Sequence, residues 1–390
     1  MQIVSEVFKA YDIRGKVGSE LTVELSHAVG RALADWLPTE GAVAIGRDMR
    51  PDSAELARNV MDGLRAQGRD VIDIGEVTSD MIYFAVGSQK LAGGAMVTAS
   101  HNPGEYNGIK LCREEAKPIG QDSGLLEVKE IIETDAFKPT AAAPGALTEK
   151  DIAEDWVQHV LGFIEPDKLK EMRIAVDAGN GMAGKIFPEL EPYVPWEVEE
   201  MYFELDGTFP NHEANPLKFE TLADLIAKIK ELKLDAGVAF DGDGDRAFLV
   251  DETGVVVPGN VMEAMLAEYF LDRFPGSAIL YDLRSSRVVP DTIEAKGGRA
   301  VRTRVGHSFI KKVMREQDAP FGGEVSGHFY FRDNFYADSG LIAAVIGLYV
   351  AGLKGMKLYE NREHYTRYAT LEETNFEVED KASALKKKKK

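Results

Sequence analysis

The chain contains 390 residues, of which 44% are hydrophobic and 28% charged, and this composition is that of an ordinary globular protein with roughly two to four domains. No apolar run reaches the ~18 residues that a membrane-spanning helix needs, so we expect a soluble protein with no membrane partner. The formal net charge of −19 repels a phosphate backbone, and we therefore expect no nucleic-acid partner.

The two ends of the chain carry little information about function. Residues 1–6 lack the basic and apolar stretches of a secretory signal, and Cys112 is the only cysteine, so we predict a cytoplasmic protein. The only basic block is the lysine run 386–390, which we interpret as a disordered or artificial tail; a tail for anionic partners is the alternative. The sequence leaves a monomer and a dimer both open.

From residue 42 onwards, a succession of strand, helix, strand, helix and apolar run occurs three times. In the first copy these elements are predicted at 42–48, 53–67, 70–74, 81–89 and 94–97. They are predicted at 173–177, 181–190, 197–203, 221–232 and 236–240 in the second copy, and at 278–284, 287–295, 299–305, 308–316 and 320–322 in the third. Apolar residues at helical spacing also predict a helix over 261–274. Such repetition favours three similar domains over one large sheet.

Strands that alternate with helices of this length predict mostly parallel sheets with helices on both faces. We therefore predict an α/β protein of three similar domains, each a mixed, mostly parallel sheet between helices, with the active cleft between the domains. Ligands of such sheets bind beyond the carboxyl ends of the strands, so we expect the three loops that follow the third apolar runs to converge. Linker composition at 138–145 and the turn at 257–259 predict domain boundaries after residues 150 and 256.

The first of these loops, the serine loop, runs from Thr98 to Pro103. A hydroxyl at a strand end becomes a nucleophile when a base or a metal activates it, which makes Ser100 a candidate. Serine and asparagine are also common in turns that do no chemistry, and Lys110 on its own is typical of a surface lysine. Taken alone, the loop favours the simple turn.

The second loop, the aspartate loop, places Asp241, Asp243 and Asp245 at alternate positions, ahead of Arg246. Three carboxylates so close repel one another unless a hard cation binds them, so we predict a metal site. A calcium loop of the EF-hand type is the alternative, with Glu252 at its twelfth position. Arg246 stands where that loop needs glycine, and the flanking runs are predicted strands, so magnesium is favoured, with Arg246 beside it as a phosphate ligand.

The third loop, from Gly323 to His328, offers Glu324, Ser326 and His328 as hydrogen-bonding groups for sugar hydroxyls; a polar turn is an equal alternative. His307 precedes a predicted helix, where an anion is favoured, although a capping or packing role is open. In so acidic a chain, basic residues beside the loops suggest a phosphate pocket. Those residues are Arg14, Arg47, Lys110, Arg246 and Arg284.

The three loops, in this order, resemble those of the α-D-phosphohexomutases, and more narrowly the bacterial phosphomannomutase/phosphoglucomutase group. The resemblance extends from Phe8 to about Arg367, and its serine, aspartate and third loops correspond to that family's phosphoserine, metal and sugar-recognition loops. It implies three domains that carry the phosphoserine (1–150), the metal (151–256) and the sugar contacts (257–368). The third-loop sequence and Thr98 favour the mannose/glucose group over the glucosamine group.

By this resemblance, Ser100 carries a phosphoryl group. Magnesium is then held by Ser100, Asp241, Asp243 and Asp245. The other catalytic residues implied are Arg14, Lys110, Arg246 and His307, and the substrate-binding residues are Arg284, Glu324, Ser326 and His328. The implied reaction interconverts hexose 1-phosphate and 6-phosphate, of mannose, glucose or both, through a hexose 1,6-bisphosphate that also acts as activator.

Members of that family have a fourth, smaller domain that grips the phosphate that is not transferred. Residues 371–378 resemble its first strand, and we find no counterpart of its phosphate-binding loop, so 369–390 is interpreted as a stub plus the lysine tail. Loss of that grip would weaken substrate positioning. Two alternatives therefore stay open: a phosphosugar phosphatase or phosphotransferase that uses the same serine, and a catalytically impaired phosphosugar-binding remnant.

Overall fold

The computed structural model describes residues 5–353 and 355–369, so the predicted stub of a fourth domain, apart from residue 369, lies outside the described residues with the lysine run. The first part of the chain forms a seven-stranded sheet and its covering helices. In chain order these elements are β1 (Ile13–Lys16), α1 (Val23–Trp36), β2 (Val43–Arg47), α2 (Ser53–Ala66), β3 (Val71–Glu76), α3 (Ser79–Ser88), β4 (Gly93–Val97), β5 (Tyr106–Arg113), β6 (Lys117–Pro118), α4 (Leu125–Glu133) and β7 (Leu147–Glu149).

Two smaller sheets, one of four strands and one of five, follow. The elements around the four-stranded sheet are α5 (Ala153–Leu161), β8 (Met172–Asp177), α6 (Ala183–Leu190), β9 (Trp196–Met201), α7 (Ala223–Leu232), β10 (Ala236–Phe240) and β11 (Ala247–Asp251). Those around the five-stranded sheet are α8 (Gly259–Arg273), β12 (Ala278–Asp282), α9 (Val288–Ala295), β13 (Arg299–Thr303), α10 (His307–Gln317), β14 (Phe321–Gly323), β15 (Phe329–Phe331), β16 (Ala337–Asp338), α11 (Gly340–Leu353) and α12 (Leu358–Tyr365).

All three sheets contain the same four-strand unit. Its first strand lies in the middle, parallel to the second strand on one side and to the third on the other, and a fourth strand runs antiparallel beside the third. The unit is formed by β3-β2-β4-β5, by β9-β8-β10-β11 and by β13-β12-β14-β15. The predicted α/β fold of three similar mixed sheets is therefore confirmed.

The predicted elements of the three copies agree with the structure to within two residues at each end. The antiparallel fourth strands β5 and β15 were not predicted. Their sequences mix glycine, asparagine and basic residues with apolar ones, or are only three residues long, so they lack the continuous apolar run that marks the central strands.

Helix α11 is the most apolar element of the core, and its residues from Gly340 to Ala351 are all buried. It packs against α5, α8 and β11, and so ties the second and third sheets together. Its first residue lies against the aspartate loop, because a Cβ added at Gly340 would stand 2.6 Å from the Gly244 carbonyl oxygen. Among the described residues, no single helix is long and apolar enough to cross a membrane; only the bent pair α11 and α12 together reach that length and composition.

Candidate active site

The serine, aspartate and third loops lie at the carboxyl ends of equivalent strands, and the structure brings them together. They follow β4, β10 and β14 and enclose a cavity of about 140 Å³. Its walls include the predicted site residues Arg14, Ser100, Lys110, Asp245, Arg246 and His328. The expected convergence of the three loops is therefore observed.

Ser100 occupies a backbone conformation that non-glycine residues rarely adopt. Its φ is +52°, in the left-handed region, and its amide donates a hydrogen bond of 2.9 Å to the Thr98 hydroxyl. The side chain is buried, and its hydroxyl donates to Asp241 Oδ2 over 2.8 Å. The bend in the serine loop thus directs the Ser100 hydroxyl at the aspartate loop.

The aspartate loop gathers three buried carboxylates. Oxygen atoms of Asp241, Asp243 and Asp245 lie within 4.8 Å of one another. One oxygen each of Asp243 and Asp245 is buried without a hydrogen-bond partner among the described residues. Buried, unpartnered carboxylate oxygens beside one another are what a hard divalent cation satisfies, so these residues fit Mg²⁺.

The aspartate loop also lies against the serine loop itself. A Cβ added at Gly242 would stand 2.6 Å from the Ser100 carbonyl oxygen, so a side chain there would force the two loops apart. The loop joins two antiparallel strands, β10 and β11, and Glu252 accepts a hydrogen bond from the Tyr359 amide. Strands in place of flanking helices exclude the EF-hand alternative.

Two cations neutralise part of the aspartate loop. Lys110 Nζ lies 2.6 Å from Asp243 Oδ2 and 2.7 Å from Asp245 Oδ2, and Arg246 Nε donates to Asp241 Oδ2 over 2.9 Å. Burial and the two neighbouring carboxylates raise the pKa of Asp241 to about 7, despite Arg246. Burial would also raise the pKa of Asp243, but Lys110 outweighs it and the pKa falls below its usual range.

His101 connects Ser100 to Arg246. Its Nδ1 accepts a hydrogen bond of 2.6 Å from Arg246 and lies 3.1 Å from the Ser100 hydroxyl. Burial and then the positive charge of Arg246 lower the pKa of His101 to about 3. The imidazole is therefore neutral, with its lone pair on Nδ1, since a guanidinium only donates. No role of His101 was predicted from the sequence, although its position next to Ser100 was a signal.

Ser79, at the start of α3, links the first sheet to the aspartate loop and was also missed. Its amide donates to the Asp243 carbonyl oxygen over 2.9 Å, and its hydroxyl donates to the Asp243 carboxylate. These residues are 164 positions apart in the chain, so no local pattern reveals the contact.

Arg14 lies on β1 and reaches the cavity from the first sheet. It donates to the Asn102 side chain over 2.8 Å and pairs with Asp12. Arg47, in contrast, faces a different cavity, with Asp73 and Glu76 at 3.9 and 4.0 Å. It does not join the other cations, because its side chain emerges on another side of its strand end.

The residues predicted to bind sugar are placed unequally. Glu324 is buried and accepts hydrogen bonds from the Gly306 amide and, over 2.6 Å, the Tyr330 hydroxyl. His328 lines the cavity, with Nδ1 2.9 Å from Asp338 Oδ2. Burial would lower the pKa of His328, but Asp245 and Asp338 raise it. Ser326 is half-buried in the same loop.

Arg284 and His307 flank the third loop. Arg284 pairs with Asp282 at 3.0 Å, and the same carboxylate accepts from the Val325 amide over 3.3 Å. Arg284 thus stands beside the third loop, at the end of β12, with its side chain 36% exposed. His307 is the first residue of α10, and its side chain lies outside what the structure describes.

Comparison with known proteins decides the family. Residues 5–139, 154–254 and 258–368 match the family descriptions "Phosphoglucomutase/phosphomannomutase, alpha/beta/alpha domain I", the corresponding domain II and the corresponding domain III. The chain belongs to the phosphoglucomutase/phosphomannomutase family. The resemblance found in the sequence is thereby confirmed, and the protein is an isomerase of the phosphohexose mutase kind.

Relatives of this family are similar to most of the chain. The Xanthomonas campestris pv. campestris protein described as "Phosphohexose mutases" is 40% identical over 382 residues, which cover 97% of this chain and 84% of that one. The phosphomannomutase of Vibrio cholerae is 42% identical over 344 residues, 86% of this chain and 74% of that one. The crystal structure of a Burkholderia thailandensis phosphoglucomutase/phosphomannomutase family protein superposes with a TM-score of 0.88 at 33% identity, covering 94% of this chain and 81% of that one.

Proposed function

We propose that this mutase interconverts the 1-phosphate and 6-phosphate of mannose, glucose or both, with Ser100 as the phosphoryl carrier and a hexose 1,6-bisphosphate as the intermediate. The observation that carries the proposal is the hydrogen bond of 2.8 Å from the Ser100 hydroxyl to Asp241, which puts a nucleophile against a cluster of three carboxylates. Relatives named phosphomannomutase support mannose phosphate as a substrate.

In the forward direction, the 6-hydroxyl of hexose 1-phosphate attacks phosphorus on phosphorylated Ser100. The bond from phosphorus to Ser100 Oγ breaks, a bond to the sugar oxygen forms, and the hydroxyl proton passes in net terms to Oγ. The bisphosphate then turns over, and its 1-phosphate is transferred to Ser100 with the same balance. The product is hexose 6-phosphate, and the serine is phosphorylated again.

The residues around Ser100 supply positioning and charge for this transfer, which depends mainly on both. Asp241, Asp243 and Asp245 would hold Mg²⁺, which supplies neutralisation of the phosphoryl charge. Lys110 and Arg14 line the same cavity and would bind phosphoryl oxygens and orient the attacking hydroxyl. Arg246 fixes His101 and Asp241 and keeps them turned towards Ser100.

Intact mass spectrometry tests the phosphoryl carrier. The protein is incubated with glucose 1,6-bisphosphate and Mg²⁺, and we expect a gain of about 80 Da in the wild type and none in Ser100→Ala. Ser88→Ala, at the far end of α3, serves as the matched control and should gain the same mass as the wild type. A wild-type chain that takes up no phosphate would contradict the proposal.

Isomer formation and inorganic phosphate release, measured together, separate a mutase from a phosphatase. We expect hexose 6-phosphate from mannose 1-phosphate or glucose 1-phosphate, with phosphate release at least about tenfold slower. EDTA should abolish the reaction and Mg²⁺ restore it, because the carboxylates would otherwise repel the phosphoryl group. Phosphate release that outpaces isomer formation would favour the phosphatase alternative.

A further inference from the structure

Arg50 lies three residues beyond the end of β2 and has no part in the family resemblance drawn above. Its side chain is 1% exposed, yet it carries a full positive charge. A charge buried this deeply is kept only where its donors are satisfied, so the partners of the guanidinium group reveal what it is for.

The two terminal nitrogens of Arg50 bind the backbone of the chain around Ser100. They donate hydrogen bonds to four carbonyl oxygens, those of Ser100 (2.8 Å), Asn102 (2.6 Å), Pro103 (2.9 Å) and Tyr106 (2.9 Å). Nε of the same group lies 3.2 Å from Asp48 Oδ2. The guanidinium group therefore holds the serine loop by its main chain, while the side chains of that loop bond to other residues.

Arg50 and Asp48 together fix the peptide groups on both sides of Ser100. Asp48 accepts from the Thr98 hydroxyl over 2.6 Å, and that hydroxyl in turn accepts from the Ser100 amide over 2.9 Å. Arg50 binds the carbonyl of Ser100 from the other side. A non-glycine residue at φ +52° costs roughly 1–3 kcal/mol and persists only where its surroundings over-determine it, as these contacts do.

The loop after β9, in the second copy, covers the Arg50 guanidinium group. The Phe209 ring lies 5.2 Å from the guanidinium carbon, and a Cβ added at Gly207 would stand 2.5 Å from the Arg50 Cα. Such close cover excludes water, and hydrogen bonds are stronger where water is excluded. The hydrogen bonds between Arg50 and the serine loop thus lie where the first and second copies meet.

Comparison of the three copies shows that this guanidinium is not a requirement of the repeated unit. Asp177 and Asp282 end the first strand of the second and third copies, Asp48 directly follows that of the first, and each accepts a hydrogen bond from the amide two residues later. That later residue is Arg50 in the first copy, Gly179 in the second and Arg284 in the third. Arg284 is 36% exposed and, among the described residues, its guanidinium bonds only to Asp282. Among the described residues, the carbonyl contacts are therefore particular to the first copy.

We propose that Arg50 is a positioning residue for phosphoryl transfer: its four carbonyl contacts hold Ser100 in the left-handed conformation that aims the hydroxyl at the aspartate loop. The proposal rests on the function of Ser100 proposed above. A lysine at this position has three donors in place of five and cannot span the same four carbonyls.

The test compares Arg50→Lys with Arg69→Lys. Arg69 is a matched control because it is also buried in the first copy and binds the carbonyls of Ala34, Leu37 and Thr39, away from the cavity. Phosphate uptake from glucose 1,6-bisphosphate should fall about 10- to 100-fold in Arg50→Lys with KM changed less than about twofold, because misplacement of the nucleophile acts on kcat. Uptake in Arg69→Lys should stay within about twofold of the wild type.

Hydrogen exchange provides a readout that does not depend on phosphate. Peptides that cover 98–106 should exchange faster in Arg50→Lys and at the wild-type rate in Arg69→Lys. If the wild type takes up no phosphate, the proposed function fails, whereas exchange in this loop still decides the role of Arg50. Unchanged exchange in Arg50→Lys, or equal losses of uptake in both variants, would overturn the proposal.

If Arg50→Lys does not fold, Phe209→Leu replaces it in both measurements. This variant uncovers the guanidinium without removing it, and we expect faster exchange in 98–106 and slower uptake, both changed in the same direction as in Arg50→Lys. Wild-type exchange and uptake in Phe209→Leu would then overturn the proposal.

Discussion

Lys110 Nζ lies 2.6 Å from Asp243 Oδ2, and this contact joins a strand of the first sheet to the aspartate loop of the second. The ammonium group is also 2.7 Å from Asp245. Burial alone would lower the pKa of Lys110, but the two carboxylates outweigh it and raise the pKa well above its usual value. One lysine thus contacts two of the three carboxylates that would bind Mg²⁺, and its single positive charge is shared between them.

Replacement of Lys110 by methionine should make the protein more dependent on Mg²⁺. Without the ammonium, two buried carboxylates lose their partner, and we expect the free energy of unfolding in EDTA to fall by roughly 3–5 kcal/mol. Mg²⁺ should then raise the melting temperature of Lys110→Met more than that of the wild type, because it relieves a larger repulsion. Thermal unfolding with and without Mg²⁺ measures both effects.

The matched control for this prediction is Lys16→Met, which breaks an exposed ion pair with Glu105 on the same sheet. Its unfolding should match the wild type, since exposed pairs contribute about 0–1 kcal/mol. If Mg²⁺ raises the melting temperature of Lys110→Met and of the wild type equally, Lys110 does not offset the charge of the carboxylates that would bind Mg²⁺.

Glu263 on α8 predicts a pH-dependent loss of stability. It packs against Gly323 at the start of the third loop, and its carboxyl group is fully buried. Burial, with Asp282 and Glu324 nearby, raises its pKa well above the ordinary 4.5. The folded protein keeps this proton where the unfolded chain has lost it, so stability falls as the pH rises above 4.5 towards the raised pKa.

Glu263→Gln should remove this dependence, because the amide resembles the protonated acid in shape and charge. Relative to the wild type, the variant should gain up to about 1.4 kcal/mol for each pH unit above pH 4.5 until the raised pKa is reached. Urea unfolding at a series of pH values measures the difference. Glu127→Gln, at an exposed position of α4, should show a difference that does not vary with pH. A flat difference for Glu263→Gln would show that the carboxylate is already solvated or paired.

Glycine is usually less favourable than alanine for stability, but the left-handed conformation of Ser100 predicts the opposite order at this position. Both Ser100→Gly and Ser100→Ala lose the hydroxyl, but only glycine adopts φ +52° without strain. We expect the free energy of unfolding of Ser100→Gly to be about 1 kcal/mol higher than that of Ser100→Ala. Ala99→Gly, next to it but outside the left-handed region, should instead lose about 0.5–1 kcal/mol. A Ser100→Ala variant as stable as Ser100→Gly would show that the backbone at this position is not strained.

The framework of this protein could be predicted because its central strands are continuous apolar runs between amphipathic helices. The same pattern placed Ser100, Asp245 and His328 in loops at equivalent strand ends, and the rule that ligands bind there correctly predicted that they line one cavity. Strand position does not tell which way the last side chain points, however. Arg47 was therefore grouped with the phosphate cations, although it faces Asp73 and Glu76.

The supporting residues of the site were missed because their contacts are long-range. Arg50 and Ser100 are 50 positions apart, and Ser79 and Asp243 are 164 apart. An arginine two residues after a strand-end aspartate occurs at both Asp48 and Asp282, and this repetition was a signal for Arg50. Sequence alone does not reveal that one of these arginines is buried against carbonyls and the other is half-exposed.

The left-handed backbone conformation of Ser100 costs stability, and it directs the hydroxyl of the proposed nucleophile at the aspartate loop. A laboratory selection for heat resistance that ignores turnover would favour Ser100→Gly over Ser100→Ala, since glycine relieves the strained turn, although both variants lose the proposed nucleophile. Thermostable variants of this enzyme should therefore be sought at positions remote from the serine loop, where a gain in stability carries no such penalty.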